Sequence, residues 1–440
     1  MKRKKQLWWH PLDNAAKIFP GTSNRSDTKV FRFACQLNEP VVQSYLEEAT
    51  RQTLKEFPIF QTLLKRGLFW YYLEKTGQEA IVREEDKEPC SPMFDKNFKR
   101  LLFNVSYYKN RINLEVHHVL TDGTGAIQFL RALVIHYLQN AHQELAELEL
   151  LTEYDASASE KNDDSFNRYY EKADKKKSDK KDAVQDRQKA KLIPQKAYQI
   201  QGRRLSGYRM RIIEGTVSVK ELLDLAHQYH TTLTIFVTAL VICSIGKEMH
   251  SKDKKKPVVI KVPVNLRSYF DSSTARNFFG VMEVSYNFST QSEKLEVVIA
   301  QVDKCFKNEL TREQLMVRMN KMGRLERNVF LRSVPLSIKD FFMKAGYDVN
   351  NRRYTFSLSN VGIMHMPEVL TPYIDMFDVF LSTDKEQACS ISYNGWFRMT
   401  FTSPFEQTQI QKHFFRQLSQ MGLEVYIESN ELDEQMEEDT

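Results

Sequence analysis

The segment His117-His118-Val119-Leu120-Thr121-Asp122-Gly123 places two imidazoles side by side, with a carboxylate and a glycine just beyond them. Histidine changes charge closest to neutral pH, so such a group suits general-base removal of a proton from an attacking hydroxyl or amine. The residues before it alternate. Ile112, Leu114, Val116 and His118 share one face of an extended chain, and Arg111, Asn113, Glu115 and His117 share the other. His118 therefore continues an apolar stripe and points inward at the end of a strand. A titratable group in that position must find a partner or serve a cavity. Asp122 is placed to hold an imidazole or an arginine, and Gly123 to let the backbone turn tightly. His117, on the opposite face, reads as structural first and as a contributor to rate second.

The elements that must position this segment are legible on either side of it. Residues 101–108 and 111–118 form a hairpin about Lys109-Asn110, and 124–138 form a helix with Ile127, Leu130, Leu133, Val134, Tyr137 and Leu138 on one face. Upstream, a helix runs over 40–57 to a stop at Pro58, and an aromatic-rich strand over 68–73. The second half repeats the mixture. Ser218 and Glu221 make a capping box for a helix through His227. A buried helix follows over 231–245, a β-branched strand over 258–263, an amphipathic helix over 295–310 and a strand over 354–359. Strands 389–393 and 396–401 flank Asn394-Gly395, a strong hairpin signal, and a helix covers 407–424. Strands grouped with segregated helices imply a layered α/β (α+β) sandwich in each half.

Between the halves lies a segment rich in Asp, Ser, Glu, Lys and Asn from Asp155 to about Ala190, which buries too little apolar surface to offset ordering entropy. Three units are expected: 1–154 with the double histidine, a mobile charged insertion over 155–204, and 205–440. At 440 residues the chain is long for one core. Its net charge of +6 carries no basic stripe, which excludes nucleic acid as the expected partner. Five scattered cysteines without a CxxC pair indicate free thiols. The basic start has no apolar stretch behind it, and the longest apolar run, 233–245, is too short to span a bilayer. The expectation is a cytoplasmic protein without a transmembrane segment. His227 and His230 have ligand spacing on a helix but no third donor, so no metal is expected. Glycine patterns for nicotinamide or nucleotide phosphates are missing.

The double-histidine segment resembles the HHxxxDG signature of the CoA-dependent acyltransferase superfamily, which includes chloramphenicol acetyltransferase, alcohol acetyltransferases and the condensation domains of peptide synthetases. Such a set arises by chance in roughly one chain in a few thousand of this composition. Trp9-His10-Pro11-Leu12-Asp13, Val262-Pro263-Val264-Asn265-Leu266-Arg267, Arg276-Asn277-Phe278-Phe279-Gly280 and Ser357-Leu358-Ser359-Asn360-Val361-Gly362 look like the bacterial alcohol-acetyltransferase branch. The resemblance covers nearly all of the chain outside the charged insertion. It implies two chloramphenicol-acetyltransferase-like lobes with a tunnel between them. It also implies acyl transfer, acetyl first, from a CoA thioester to a small-molecule alcohol or amine, with His118 as base. Acyl-CoA is then a co-substrate, and no cofactor is bound tightly. A free-standing condensation-type enzyme fed by an acyl carrier protein, or a non-catalytic relative, are the alternatives. The family's Asp is structural, and Arg267 is the candidate partner of Asp122. Backbone N–H groups near Gly123, or Asn360, are candidate oxyanion donors. Asn265 reads equally as a turn residue, and Asn277 and Gly280 as turn residues shaping the tunnel.

Overall fold

A computed structural model describes residues 9–94, 99–150, 165–170 and 196–430. The acidic end of the chain, the basic start through Trp8 and the lysine run 175–181 lie outside the described residues, as does most of the charged insertion.

The hairpin at the centre of the first lobe pairs Phe103–Tyr108 with Arg111–His117. Lys109 takes a φ of 52°, the left-handed value that a tight turn requires. Val30–Leu37 pairs antiparallel on the other side, with Phe31 opposite Val116, Phe33 opposite Leu114 and Cys35 opposite Ile112. These side chains share a face and are buried with helices Gln43–Glu56 and Gly123–Ala141 packed against them. The opposite face is polar by sequence, yet Asn113, Glu115 and His117 are also buried. It is held by ion pairs: Arg32 Nε donates to Glu115 Oε1 at 3.0 Å, and Arg111 bonds Asp378 at 2.6 Å. The sheet is thus covered on both sides.

The second lobe is built on a seven-stranded sheet. Its strands run in the spatial order Phe279–Tyr286, Val258–Asn265, Phe356–Ile363, Gln387–Tyr393, Trp396–Ser403, Arg211–Ser218, Tyr426–Ser429. Helices Val219–Gln228, Leu233–Glu248, Leu295–Glu309 and Gln409–Gln420 contribute to its core. The Ser218 hydroxyl caps the first of them at Glu221 N, and Thr232 caps the second at Ile235 N. Asn394 and Gly395 have φ of 44° and 82°, the left-handed pair of a two-residue hairpin.

Sheet membership does not follow the halves of the sequence. Ile374–Leu381 leaves the second half to pair antiparallel with Val30–Leu37, and the chain then returns to the seven-stranded sheet. Cys389, Ile391 and Tyr393 of that sheet belong to the same core as Phe31 and Phe33. The end of the expected insertion is likewise structural, since Ala197 and Tyr198 are buried and Tyr198 N donates to Pro257 O.

Two local expectations need correction. The strand expected over 68–73 is Tyr71–Lys75, paired with Thr62–Arg66. Leu68 and Phe69 lie in the turn closed by Gly67 N donating to Trp70 O, and both are exposed. The last helix ends at Gln420, because Gly422 at φ 96° turns the chain into the strand Tyr426–Ser429. No single described helix is long and apolar enough to cross a membrane. Val219–Gln228 and Leu233–Glu248 pass such a test only together, bent by 81°.

Candidate active site

His118 sits one residue past the end of the strand Arg111–His117, half-buried, with its backbone N–H on the carbonyl of Lys29 at 2.8 Å. Three aromatic rings surround it. Phe19 stacks at 4.9 Å, Phe31 lies tilted at 4.6 Å, and Phe279 of the second lobe lies at 6.2 Å. Nδ1 has no hydrogen-bond partner of acceptable geometry among the described residues, though the Thr121 backbone lies near enough to favour the cation. Burial pushes the pKa of His118 down to about 4. The Asp122 carboxylate opposes that fall and Lys29 reinforces it. At neutral pH the ring is therefore uncharged and free to accept a proton.

His117 is fully satisfied. Its Nδ1 accepts from Val119 N at 3.2 Å, so the proton sits on Nε2. Nε2 then donates to Ser23 Oγ at 3.1 Å, and that hydroxyl donates to Phe19 O at 2.8 Å. Burial holds its pKa down to about 3, helped by His118. This neutral, doubly bonded ring fixes the turn that carries Phe19 onto His118.

Asp122 caps the helix Gly123–Ala141 and binds Arg267 with both oxygens. Oδ1 accepts from Gly125 N at 3.1 Å and Arg267 Nη2 at 3.2 Å; Oδ2 accepts from Arg267 Nη1 at 2.9 Å and Phe278 N at 2.8 Å. The guanidinium is saturated further by the carbonyls of Thr274 and Arg276, at 3.0 and 2.6 Å, and by Asn265 Oδ1 at 3.2 Å. Asn265 also accepts from Arg267 N at 3.1 Å, so it braces the arginine from an exposed position. The expected pairing of Asp122 with Arg267 is present. It ties the helix after His118 to the second lobe.

Gly123 does not need to be glycine for the reason expected. Its φ is ordinary, and a Cβ there would meet only Phe33 at 3.8 Å. The close approach is two residues on. A Cβ on Gly125 would lie 2.0 Å from both Ala275 O and Thr121 Oγ1, because the helix start is pressed onto the second lobe. Asn360 is placed in a bulge of its strand: its Oδ1 accepts from Gly362 N at 3.0 Å and its Nδ2 donates to Thr234 Oγ1 at 2.9 Å. Both ends of that amide are thus engaged within the second lobe. His227 and His230 are exposed at the end of their helix, and no cluster of three metal-ligating side chains occurs among the described residues.

The residues that sequence reasoning undervalued are Asn277, Asp13 and Lys29. Asn277 Nδ2 donates to His118 O at 3.0 Å and to Asp13 Oδ2 at 3.2 Å, and Asp13 Oδ1 accepts from Ala16 N at 2.8 Å. Arg276 Nη2 donates to Pro11 O at 2.7 Å. The segments Trp9–Asp13 and Arg276–Gly280 thus converge on the backbone of His118. Lys29, at a left-handed φ of 58°, receives the His118 N–H and pairs its ammonium with Asp27. A cavity of about 810 Å³ on the first lobe is lined by Arg32, Arg83, Glu85, Arg100 and Glu115. His118 is not among the residues lining it.

No family model matches this sequence, and no curated protein sequence does. Solved structures do match, over 94–96% of the chain in the three cases that follow. The trichothecene 15-O-acetyltransferase TRI3 of Fusarium sporotrichioides superposes with a TM-score of 0.63 at 9% identity, covering 96% of each chain. The first condensation domain of the calcium-dependent antibiotic synthetase, in complex with a substrate analogue, gives 0.63 at 12%, covering 94% of this chain and 96% of its own. F. sporotrichioides TRI101, complexed with coenzyme A and T-2, gives 0.56 at 11%, covering 94% and 99%. The chain therefore has the two-lobed α/β fold that these proteins share.

Proposed function

We propose that this protein is an acyltransferase that moves an acyl group, acetyl first, from a CoA thioester to an acceptor hydroxyl or amine, with His118 as the general base. The observation that carries this reading is the state of His118: a neutral imidazole with an unpartnered nitrogen, caged by Phe19, Phe31 and Phe279 where the two lobes meet. His117, fully buried on the other face, is by contrast bonded at both nitrogens. A likeness in fold to one acetyltransferase and to a second protein solved with coenzyme A supports the choice of donor.

In this mechanism the acceptor enters between the lobes and gives its proton to His118 as its oxygen or nitrogen attacks the thioester carbonyl. The tetrahedral oxyanion then collapses, expelling the thiolate, which takes the proton back from the imidazolium. Asp122 and Arg267 hold the loop and the helix start, and Asn277 holds the His118 carbonyl, so the ring keeps its position through the cycle. His117 acts by fixing the turn at Ser23 and Phe19. The cytoplasm is the compartment proposed for such a CoA-dependent reaction.

Free thiol released from acetyl-CoA in the presence of a panel of alcohols and amines tests the reading. Acceptor-dependent release that is lost in His118→Ala is the expected result. The likeness to a condensation domain favours one other donor, an acyl group on a carrier protein. Transfer from the carrier thioester alone would replace the CoA reading. No transfer from either, by folded protein, would leave a non-catalytic relative of the fold.

A further inference from the structure

The strand Val258–Asn265 carries a cation that the acyl-transfer mechanism does not use. Val258, Ile260 and Val262 point into the core of the second lobe, so Lys261 lies on the opposite face with Pro263 and Asn265. That is the face shared by Phe279, which pairs with Asn265 in register and reaches His118. Four residues at about 3.3 Å each put Lys261 roughly 13 Å along the strand from that pair. Its neighbour on the other side is Ser357, also half-buried.

Lys261 is one of three ammonium groups gathered here. Lys261 and Lys385 both approach the ring of Tyr354, at 4.0 and 4.2 Å. Lys385 is saturated by Gln199 Oε1 and Tyr354 O, each at 2.7 Å, and by the Asn351 carbonyl. Lys29 is bound to Asp27 and to the Tyr347 hydroxyl at 2.7 Å. Lys261 has only the face of Tyr354; among the described residues it has no hydrogen-bond acceptor and no ion-pair partner. Its cross-strand neighbour Glu283 is exposed and outside ion-pair range. Asp27 and Asp384 are placed among the three lysines and Glu283 lies across the strand pair from Lys261, so no carboxylate of the described residues is in contact with the Lys261 ammonium. Burial lowers the pKa of Lys261, Glu283 opposes the fall and Lys29 adds to it. An ammonium held in this way gains from any anion delivered to it.

We propose that Lys261, with Ser357 beside it, binds an oxyanion, phosphate or carboxylate, carried by one of the two substrates at a point remote from the reacting carbonyl. The assignment to a substrate rests on the acyltransferase reading; the affinity for an oxyanion does not. The phosphate of a pantetheine arm and a carboxylate on the acceptor are the two sources.

Competitive labelling separates this proposal from the catalytic one, since it needs no turnover. An amine-acylating reagent is applied to the whole protein at pH 8, and labelling at each lysine is followed by peptide mass spectrometry. Inorganic phosphate is compared with chloride at equal ionic strength, and exposed Lys220 serves as internal reference. Phosphate is expected to slow labelling of Lys261 about tenfold relative to Lys220. Equal slowing in chloride and phosphate would overturn the site. Protection by phosphopantetheine and not by pantetheine would assign it to the donor; protection by acetate without phosphopantetheine would assign it to the acceptor. In acyl transfer, Lys261→Gln is expected to raise KM for that substrate about tenfold, with Lys261→Arg recovering most of the loss. A change confined to kcat, unrecovered by arginine, would contradict a binding role.

Discussion

Replacing Asp122 by asparagine isolates the link between the lobes. The asparagine carbonyl can keep the place of Oδ1, accepting from Gly125 N and Arg267 Nη2. Its amide then occupies the place of Oδ2, where it faces two donors, Phe278 N and Arg267 Nη1. Two buried donors lose their acceptor at about 1–3 kcal/mol each. A second route to the magnitude is the ion pair itself. The side chains of Asp122 and Arg267 are 6% and 8% exposed, and breaking a buried pair from one side costs about 3–5 kcal/mol. The two routes agree, so Asp122→Asn is expected to lower the unfolding free energy by about 4 kcal/mol. Urea denaturation reads this as a fall in midpoint at unchanged slope. The double variant Asp122→Asn, Arg267→Met is expected to cost less than the sum of the single changes, because the second removes the charge the first has stranded. An unchanged midpoint in Asp122→Asn, or strict additivity in the cycle, would refute the reasoning.

Three further outcomes follow from the geometry. Gly125→Ala is expected to unfold or severely destabilise the protein, because its Cβ would overlap Ala275 O and Thr121 Oγ1, whereas Gly123→Ala should melt within a degree or so of wild type; comparable melting of the two would contradict the close approach. The acid limb of kcat/KM should lie near pH 4, where His118 titrates, with a flat profile from pH 7 to about 5; a limb centred near 6.5 would show that burial does not govern the base. Both histidines have folded pKa values below 6.5, so the unfolded chain takes up protons first. Their contribution to stability is complete above about pH 6.5 and declines as pH falls toward 4, a trend that denaturation midpoints between pH 7 and 4 would reveal and that His117→Asn should reduce.

Much of this arrangement was legible because it is periodic or local. The alternation over 111–118 gave the strand and the face of His118, and Asn394-Gly395 gave its hairpin. The left-handed Lys29 and the Phe19 ring were not legible, since each reaches His118 from far away in sequence. The burial of the polar face of Asn113, Glu115 and His117 was not legible, because alternation reports polarity, and polarity cannot distinguish solvent from an ion-paired interface. The crossing of Ile374–Leu381 into the first sheet is a long-range pairing that no local pattern encodes. At the site, the motif drew attention to Gly123, while the steric demand falls on Gly125 because it depends on where Ala275 sits.

The central claim is that His118 takes the acceptor's proton during acyl transfer. Carbon-13-labelled acetyl-CoA, an acceptor panel and mass detection of the acylated product, run side by side for wild type and His118→Ala, test it most directly. The expected result is labelled product from wild type and a rate at least about 100-fold lower from a folded variant. Product formed at the same rate by both proteins would contradict it.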